Sequence, residues 1–311
     1  MFWFWLWFAA AFYALLSALV LRFPTLLHGP PAARPRGRPR LIAHRGGAGE
    51  NLENTMTAFE HALNLGADML ELDVRRTKDG QVVVCHDSSL LRTCGKDADI
   101  RQLNYNELPR YRSRIAVSFQ PGCECMGKDR RIPLLREVFT AFPDVSINID
   151  IKDNDDELIS QVSELVREFR REHLTVWGNA RHQIVRKCRL ENPAIPTLFS
   201  SRRVLFLVAY YYCGLLPFLP IPEACLEIPV PSMLSRLMEP GKVPRFRRFL
   251  CWLADWLLLS RKLFRHLERR GVQVYLWVLN EEADFKRAFD LGVTGVMTDF
   301  PSKLRHFLSA R

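Results

Sequence analysis

Residues 41–87 read LIAHRGGAGENLENTMTAFEHALNLGADMLELDVRRTKDGQVVVCHD, and this stretch decides the fold class. Three apolar runs (41–43, 69–74 and 82–85) each meet polar residues with chemical potential: His44 with Arg45, Glu71 with Asp73, and His86 with Asp87. Between the first two runs, residues 52–65 place Met56, Phe59, Ala62 and Leu63 on one helical face and stop at Gly66. The order strand, helix, strand begins a parallel α/β arrangement. Thr77-Lys78-Asp79-Gly80 follows, and Asp-Gly is a strong signal for a two-residue hairpin turn. Such a turn pairs residue 78 with 81 and sets Asp73 directly across from His86. The connection is too short for a helical crossover, which needs about a dozen residues or more, so a regular βα unit is missing here.

Outward from this stretch the alternation repeats. Residues 145–151 read as a strand, and 155–171 as an amphipathic helix with an Asn or Asp cap and Leu158, Val162, Leu165, Val166 and Phe169 inward. A strand at 174–177, a helix at 180–190 and a strand at 197–200 follow, then a less regular region, 201–270. The chain ends with a strand at 272–279, a helix at 281–291, a strand at 295–297 and a helix from Pro301. With about eight strands this predicts a closed parallel α/β barrel.

Residues 1–21 carry no charge, and at about 1.5 Å per residue they are just long enough to cross a hydrocarbon core of about 30 Å. They predict one N-terminal transmembrane helix; a cleaved signal peptide would have a basic start and a small-x-small site before Arg22. Residues 22–40 form a Pro/Arg linker whose prolines and charges disfavour packing. Arg22, Arg34, Arg36, Arg38 and Arg40 make up half of the net charge of +10, a membrane-surface pattern rather than a nucleic-acid footprint. Basic residues after the apolar run place the remainder in the cytosol, on the endoplasmic reticulum or another endomembrane. The eight cysteines lack zinc-ligand spacing, which predicts free thiols.

Two further apolar regions interrupt the pattern. In 204–222 only 13 residues precede Pro217, against about 17–25 for a spanning helix. An interfacial excursion or lipid-entry groove is expected there, with a second transmembrane helix as the alternative. Residues 249–264, with Trp252, Leu253, Trp256 and Leu257, read either as a second interfacial element or as an ordinary barrel helix.

Glu71 and Asp73 stand two apart on a strand, so both side chains share a face. Two close buried carboxylates stay ionised only beside a cation, and Asp150 in NIDIK offers a third oxygen from another strand. Oxygen donors point to one divalent cation, Mg²⁺ or Ca²⁺; pairing with surface arginines is the alternative. His44 and His86 suit alternating base and acid. Arg45 supplies a planar fork and Lys152 a point charge for a phosphate. Gly46-Gly47-Ala48-Gly49 would let a ligand approach the backbone. This set describes phosphodiester chemistry, and no Gly-x-Ser-x-Gly is present to argue for acyl transfer.

Taken together, these residues resemble the glycerophosphodiester phosphodiesterase family. The match includes His44-Arg45-Gly46, Glu53-Asn54-Thr55, Glu71-Leu72-Asp73, Thr77-Lys78-Asp79-Gly80 and Val84-Cys85-His86-Asp87. It continues through Asp150-Ile151-Lys152, Trp277 to Asn280, and Gly295-Val296-Met297-Thr298-Asp299. The resemblance runs over residues 41–308 and implies a distorted (β/α)8 barrel, a divalent metal on Glu71, Asp73 and Asp150, acid–base catalysis by His44 and His86, and phosphate contacts from Arg45 and Lys152. It also implies Glu53 and Trp277 as substrate-binding residues. The third metal position, commonly Glu in bacterial relatives, is Asp150 here; its shorter reach leaves room for another ligand such as His86. The apolar start and 204–222 resemble the animal membrane-bound branch that acts as lysophospholipase D, releasing choline, ethanolamine or an N-acylethanolamine from lysophospholipids. A lysophospholipid or glycerophosphodiester and a membrane are the implied partners, with no nucleic acid and no obligate protein partner. The substrate's free glycerol hydroxyl is the expected nucleophile. A phospholipase C-like enzyme and a catalytically silent lipid-binding protein remain as alternatives.

Overall fold

The computed structural model describes residues 1–237 and 244–311. In chain order its elements begin with α1 (Phe2–Arg22), β1 (Leu41–Ala43), α2 (Met56–Asn64), β2 (Met69–Arg76), β3 (Val82–Val84) and α3 (Leu91–Cys94). Next come β4 (Arg114–Ala116), β5 (Glu124–Met126), α4 (Leu135–Ala141), β6 (Ser146–Ile151), α5 (Asp156–Glu168), β7 (Thr175–Gly178), α6 (His182–Glu191) and α7 (Ser201–Tyr212). The remainder is β8 (Cys225–Pro229), α8 (Pro231–Arg236), α9 (Arg245–Leu258), α10 (Arg261–Arg269), β9 (Gln273–Trp277), α11 (Glu282–Leu291), β10 (Gly295–Thr298) and α12 (Pro301–Ser309).

Among the described residues, parallel strands run in the order β7-β6-β2-β1-β10-β9-β8. The two ends meet through single parallel bridges, Trp177 to Thr197 and Leu198 to Cys225. The barrel therefore closes as expected, but its stave at 197–200 is reduced to two bridges. Ile42, Met69, Val176, Leu198, Tyr275 and Met297 pack into its interior, the side-chain layer that makes such a barrel a packed core.

Local signals explain the helices. Thr55 caps α2 by accepting from the Ala58 amide at 3.3 Å, and Asp155 caps α5 by accepting from the Glu157 amide at 3.0 Å. The helix expected from residue 52 starts at Met56 because Asn54 adopts a left-handed conformation (φ 58°). That turn lets the Asn54 amide donate to Asp73 at 2.9 Å.

The hairpin register needs correction. β3 is antiparallel to β2, but Val74 pairs with Val84 and Arg76 with Val82, one residue away from the expected alignment. The loop holds three residues between Thr77 and Gln81, with Gly80 left-handed (φ 80°) and the Thr77 amide bonded to the Gln81 carbonyl. A one-residue slip exchanges faces, so Cys85, not His86, lies opposite Asp73 and donates its amide to the Asp73 carbonyl. β3 pairs with β2 outside the barrel path, so the βα unit is indeed irregular here.

Within 201–270, the described residues 201–237 and 244–270 are more regular than the sequence suggested, while 238–243 lie outside the described residues. Pro222, Pro229 and Pro231 disguise β8, the last strand of the barrel path. α7 has 12 residues, about 18 Å of helix, too short to cross a bilayer. The 249–264 stretch divides between α9 and α10 at Leu259 and Ser260.

α1 is long and apolar enough to cross a membrane, with a mean hydropathy of 2.0. Its first half stands clear of the barrel; its second half docks onto the chain after α7. Tyr13 Oη donates to the Cys213 carbonyl at 2.6 Å and Ser17 Oγ to the Gly214 carbonyl at 2.8 Å. The linker also packs, against expectation. Pro24, Pro31, Pro35 and Pro39 are buried, the Arg36 amide bonds the His173 carbonyl, and Arg38 pairs with Glu268 at 2.5 Å.

Candidate active site

The carboxyl ends of the strands surround a cavity of about 460 Å³, the end at which barrel enzymes place their chemistry. Leaving β1, the chain turns tightly through Arg45 (φ 50°), Gly46 (φ 79°) and Gly47 (φ 93°). A Cβ on Gly46 would stand 2.8 Å from Phe59, and one on Gly47 2.8 Å from Pro301. The glycines therefore serve the packing of this turn, and the space beside them is protein rather than ligand. The turn delivers His44 and Arg45 to the cavity wall.

The two histidines are held alike. His44 Nδ1 lies 2.7 Å from Asp299 Oδ1, and His86 Nδ1 lies 2.6 Å from Asp87 Oδ1. A carboxylate can only accept, so each Nδ1 carries the proton and each Nε2 is the nitrogen left for chemistry. Each carboxylate is itself oriented. Asn280 Nδ2 donates to Asp299 at 3.1 Å, and Arg92 Nε donates to Asp87 at 2.6 Å. Burial, ahead of the opposing Asp299 charge, lowers the His44 pKa, which favours the neutral ring. Phe119 meets His44 edge-on at 5.5 Å and Trp277 at 5.9 Å, closing the apolar side of this corner.

Glu71 and Asp73 both face the cavity, and the β2–β6 register sets Asp150 beside Asp73. The arginine and lysine that answer these acids come from inside the site, so pairing with surface arginines does not occur. Lys152 Nζ lies 2.7 Å from Asp73 and 2.5 Å from Asp150, and Asn179 donates to Asp150 at 2.5 Å. The Arg45 backbone amide donates to Glu71 at 2.8 Å. Its guanidinium donates to Glu53 at 3.1 Å, while its Nε, 3.3 Å from Asp73, is buried without a hydrogen bond. Burial and then the Asp73 charge push the Glu71 carboxyl well above its ordinary pKa. Burial works to raise Asp73 too, but Lys152 and Arg45 outweigh it and hold that carboxyl low.

Glu53 does not line the cavity. It is buried behind Arg45 and takes two bonds from Arg92, at 2.9 and 2.7 Å. Trp277 does line it. Among the described residues no three His, Cys, Asp or Glu side chains are gathered tightly enough to hold a metal ion as they stand; the Lys152 ammonium takes the space between Asp73 and Asp150. The donor chemistry nevertheless suits a hard cation. Glu71, Asp73 and Asp150 bring carboxylate oxygens to one wall of the cavity, and burial together with the Asp73 charge keeps the Glu71 carboxyl high until a cation offsets them.

Asp299, Asn280, Phe119, Asn179 and Glu227 were given no role by the sequence reading. Asp299 ends an apolar run, the same signal that singled out His44. Glu227 sits between prolines on β8 and accepts from Asn148 at 2.6 Å; burial pushes its carboxyl up to about 7. The wall opposite the charged residues is apolar: Leu198, Phe199, Val204, Leu205, Ile228 and Leu258.

The glycerophosphoryl diester phosphodiesterase family model matches residues 44–303. Human lysophospholipase D GDPD1 is 57% identical over 296 residues, covering 95% of this chain and 94% of that protein. Human lysophospholipase D GDPD3 is 43% identical, covering 95% and 92%. The crystal structure of glycerophosphodiester phosphodiesterase from Thermotoga maritima shares the fold at a TM-score of 0.60 and 23% identity, covering 88% of this chain and 98% of that one. With the barrel, the family model and these relatives in agreement, the chain belongs to the glycerophosphoryl diester phosphodiesterase family of hydrolases, in the animal branch that includes the lysophospholipases D.

Proposed function

We propose that this protein is a membrane-held lysophospholipase D that cleaves lysophospholipids to lysophosphatidic acid and a free choline, ethanolamine or N-acylethanolamine, and that also accepts glycerophosphodiesters. The observation that carries this reading is the division of one cavity into a charged wall and an apolar wall. A phosphodiester needs the first, an acyl chain the second. The relatives named lysophospholipase D support the same substrate class.

Arg45 Nε and Lys152 bind the phosphate oxygens, and Glu53, pinned by Arg92, keeps the Arg45 fork aimed. Trp277 and Phe119 shape the substrate's approach to His44. One histidine Nε2 takes the proton of the glycerol hydroxyl next to the phosphate as its oxygen bonds to phosphorus. The other returns a proton to the departing alcohol as its P–O bond breaks. Water then opens the cyclic phosphate. Glu71, Asp73 and Asp150 would hold one Mg²⁺ or Ca²⁺, which supplies charge stabilisation at the phosphoryl oxygens. His86, whose Nδ1 is held by Asp87, keeps its Nε2 for proton transfer rather than for the cation. α1 holds the enzyme on an endomembrane with the barrel in the cytosol.

Mass spectrometry of products from purified protein tests the reading. Lysophosphatidylcholine gives lysophosphatidic acid and choline; release of monoacylglycerol and phosphocholine identifies a phospholipase C-like enzyme instead. Diacyl phosphatidylcholine, which lacks the free hydroxyl, is not cleaved, and equal turnover of both lipids rejects the proposed nucleophile. Chelator abolishes turnover, and Mg²⁺ or Ca²⁺ restores it.

A further inference from the structure

α7 is bound to the rest of the molecule in a way that the chemistry of the site leaves unexplained. Near its start, Val204 and Leu205 line the cavity. Past its end, Cys213 and Gly214 accept the hydrogen bonds of Tyr13 and Ser17 from α1. One short helix thus joins the apolar anchor to the wall of the reaction chamber.

Its neighbour α9 extends this face. The Tyr212 ring stacks on Trp256 at 6.0 Å, and its hydroxyl reaches the Leu257 carbonyl at 3.2 Å. At the end of α9, Leu258 joins Leu205 in the cavity lining. Outward, α9 presents Phe249, Leu250, Trp252 and Trp256, exposed by 53%, 44%, 59% and 61%, beside Leu205 of α7 at 72%. Single exposed apolar residues are ordinary, but a clustered patch rich in tryptophan signals an interaction surface. Arg247 and Arg248 are exposed on the same helix. Aromatic rings with adjoining arginines match a lipid interface, the rings among acyl chains and the guanidinium groups at anionic headgroups.

We infer that the outer faces of α7 and α9 form a second membrane contact, distinct from α1, which enters the lipid interface and opens the apolar wall of the cavity directly to the bilayer. A lysophospholipid then never crosses water. Its acyl chain slides along Val204, Leu205 and Leu258 while its headgroup reaches the charged wall. This rests on the lipid-hydrolase reading for the identity of the substrate, but the membrane contact itself does not.

Two measurements on the full chain in vesicles, containing phosphatidylcholine and a minority of phosphatidylserine, test it. The first is quenching of tryptophan emission by bromine-labelled acyl chains, with Trp252→Phe and Trp256→Phe combined. If the two indoles lie in lipid, removing them lowers the quenched fraction of total emission. A quenched fraction that is unchanged or higher places them in water and overturns the proposal. The second uses Phe249→Glu with Trp252→Glu. Turnover of lysophosphatidylcholine in the vesicles falls roughly tenfold, while glycerophosphocholine in solution is cleaved as before. Unchanged lysophospholipid turnover overturns the proposal. Equal loss on both substrates indicates a damaged barrel, and the conservative phenylalanine pair then decides. If unsubstituted protein cleaves neither substrate, the enzymatic reading fails while the quenching result still judges the surface.

Discussion

The two walls of the cavity differ in nearly every respect. The wall built by β1, β2, β6 and the loop after β3 is charged, and its side chains are fixed by contacts that reach back two residues deep: Asn280 to Asp299 to His44, and Arg92 to Asp87 to His86. Apart from Ser201 and Glu227, the wall built by residues 198–205, β8 and α9 is apolar, and Leu205 lines the cavity while 72% exposed. A buried charge must be answered by a partner at a definite distance, whereas an aliphatic wall needs only shape. The first wall can therefore set the reaction and the second the substrate.

That division can be broken by substitution, beginning at the charged wall. His44→Ala or His86→Ala lowers kcat/KM by at least about 10² on lysophosphatidylcholine and glycerophosphocholine alike; loss confined to the lipid would erase the distinction between the walls. Asp299→Asn costs about 10-fold to 10² on both substrates, because an amide can donate to Nδ1 and favour the wrong tautomer. Its kcat falls while KM holds, the mark of orientation rather than binding.

At the apolar wall effects are smaller and selective. Leu258→Ala lowers kcat/KM for lysophosphatidylcholine about 5-fold to 10-fold more than for glycerophosphocholine, the value of a few lost methylenes. Parallel losses would mean that the acyl chain lies elsewhere. The smallest expected effect is on stability. Gly46→Ala strains a left-handed turn against Phe59 and costs about 1–3 kcal/mol, a drop of several degrees in the thermal midpoint.

Legibility followed the same line. Charged residues at the ends of apolar runs were readable because buried strands rarely tolerate them without a task, so His44, Glu71, Asp73, His86, Asp150 and Lys152 all line the cavity. The helical faces were readable too, down to Leu158, Val162, Leu165 and Val166 on α5. What failed depended on backbone detail. Asp79-Gly80 signals a turn but does not fix whether two or three residues form it, and one residue moved the partner of Asp73 from His86 to Cys85. Glu53 carries the same charge whether it meets substrate or Arg92, and only its burial distinguishes them. Phe119 lies in the loop between β4 and β5, where no periodicity marks it. β8 was hidden by prolines that elsewhere break strands.

The packed linker bears on how the protein is to be handled. Trimming the hydrophobic start to obtain a water-soluble preparation is the natural first move, and the cut site matters. A chain beginning near residue 23 keeps Pro24, Pro31, Pro35 and Pro39 in their places, the Arg38–Glu268 pair and the Arg36 bond to His173. One beginning at Leu41 strips the strap from beneath β1 and uncovers the floor of the barrel, so its inactivity would report a lost foundation rather than a lost membrane.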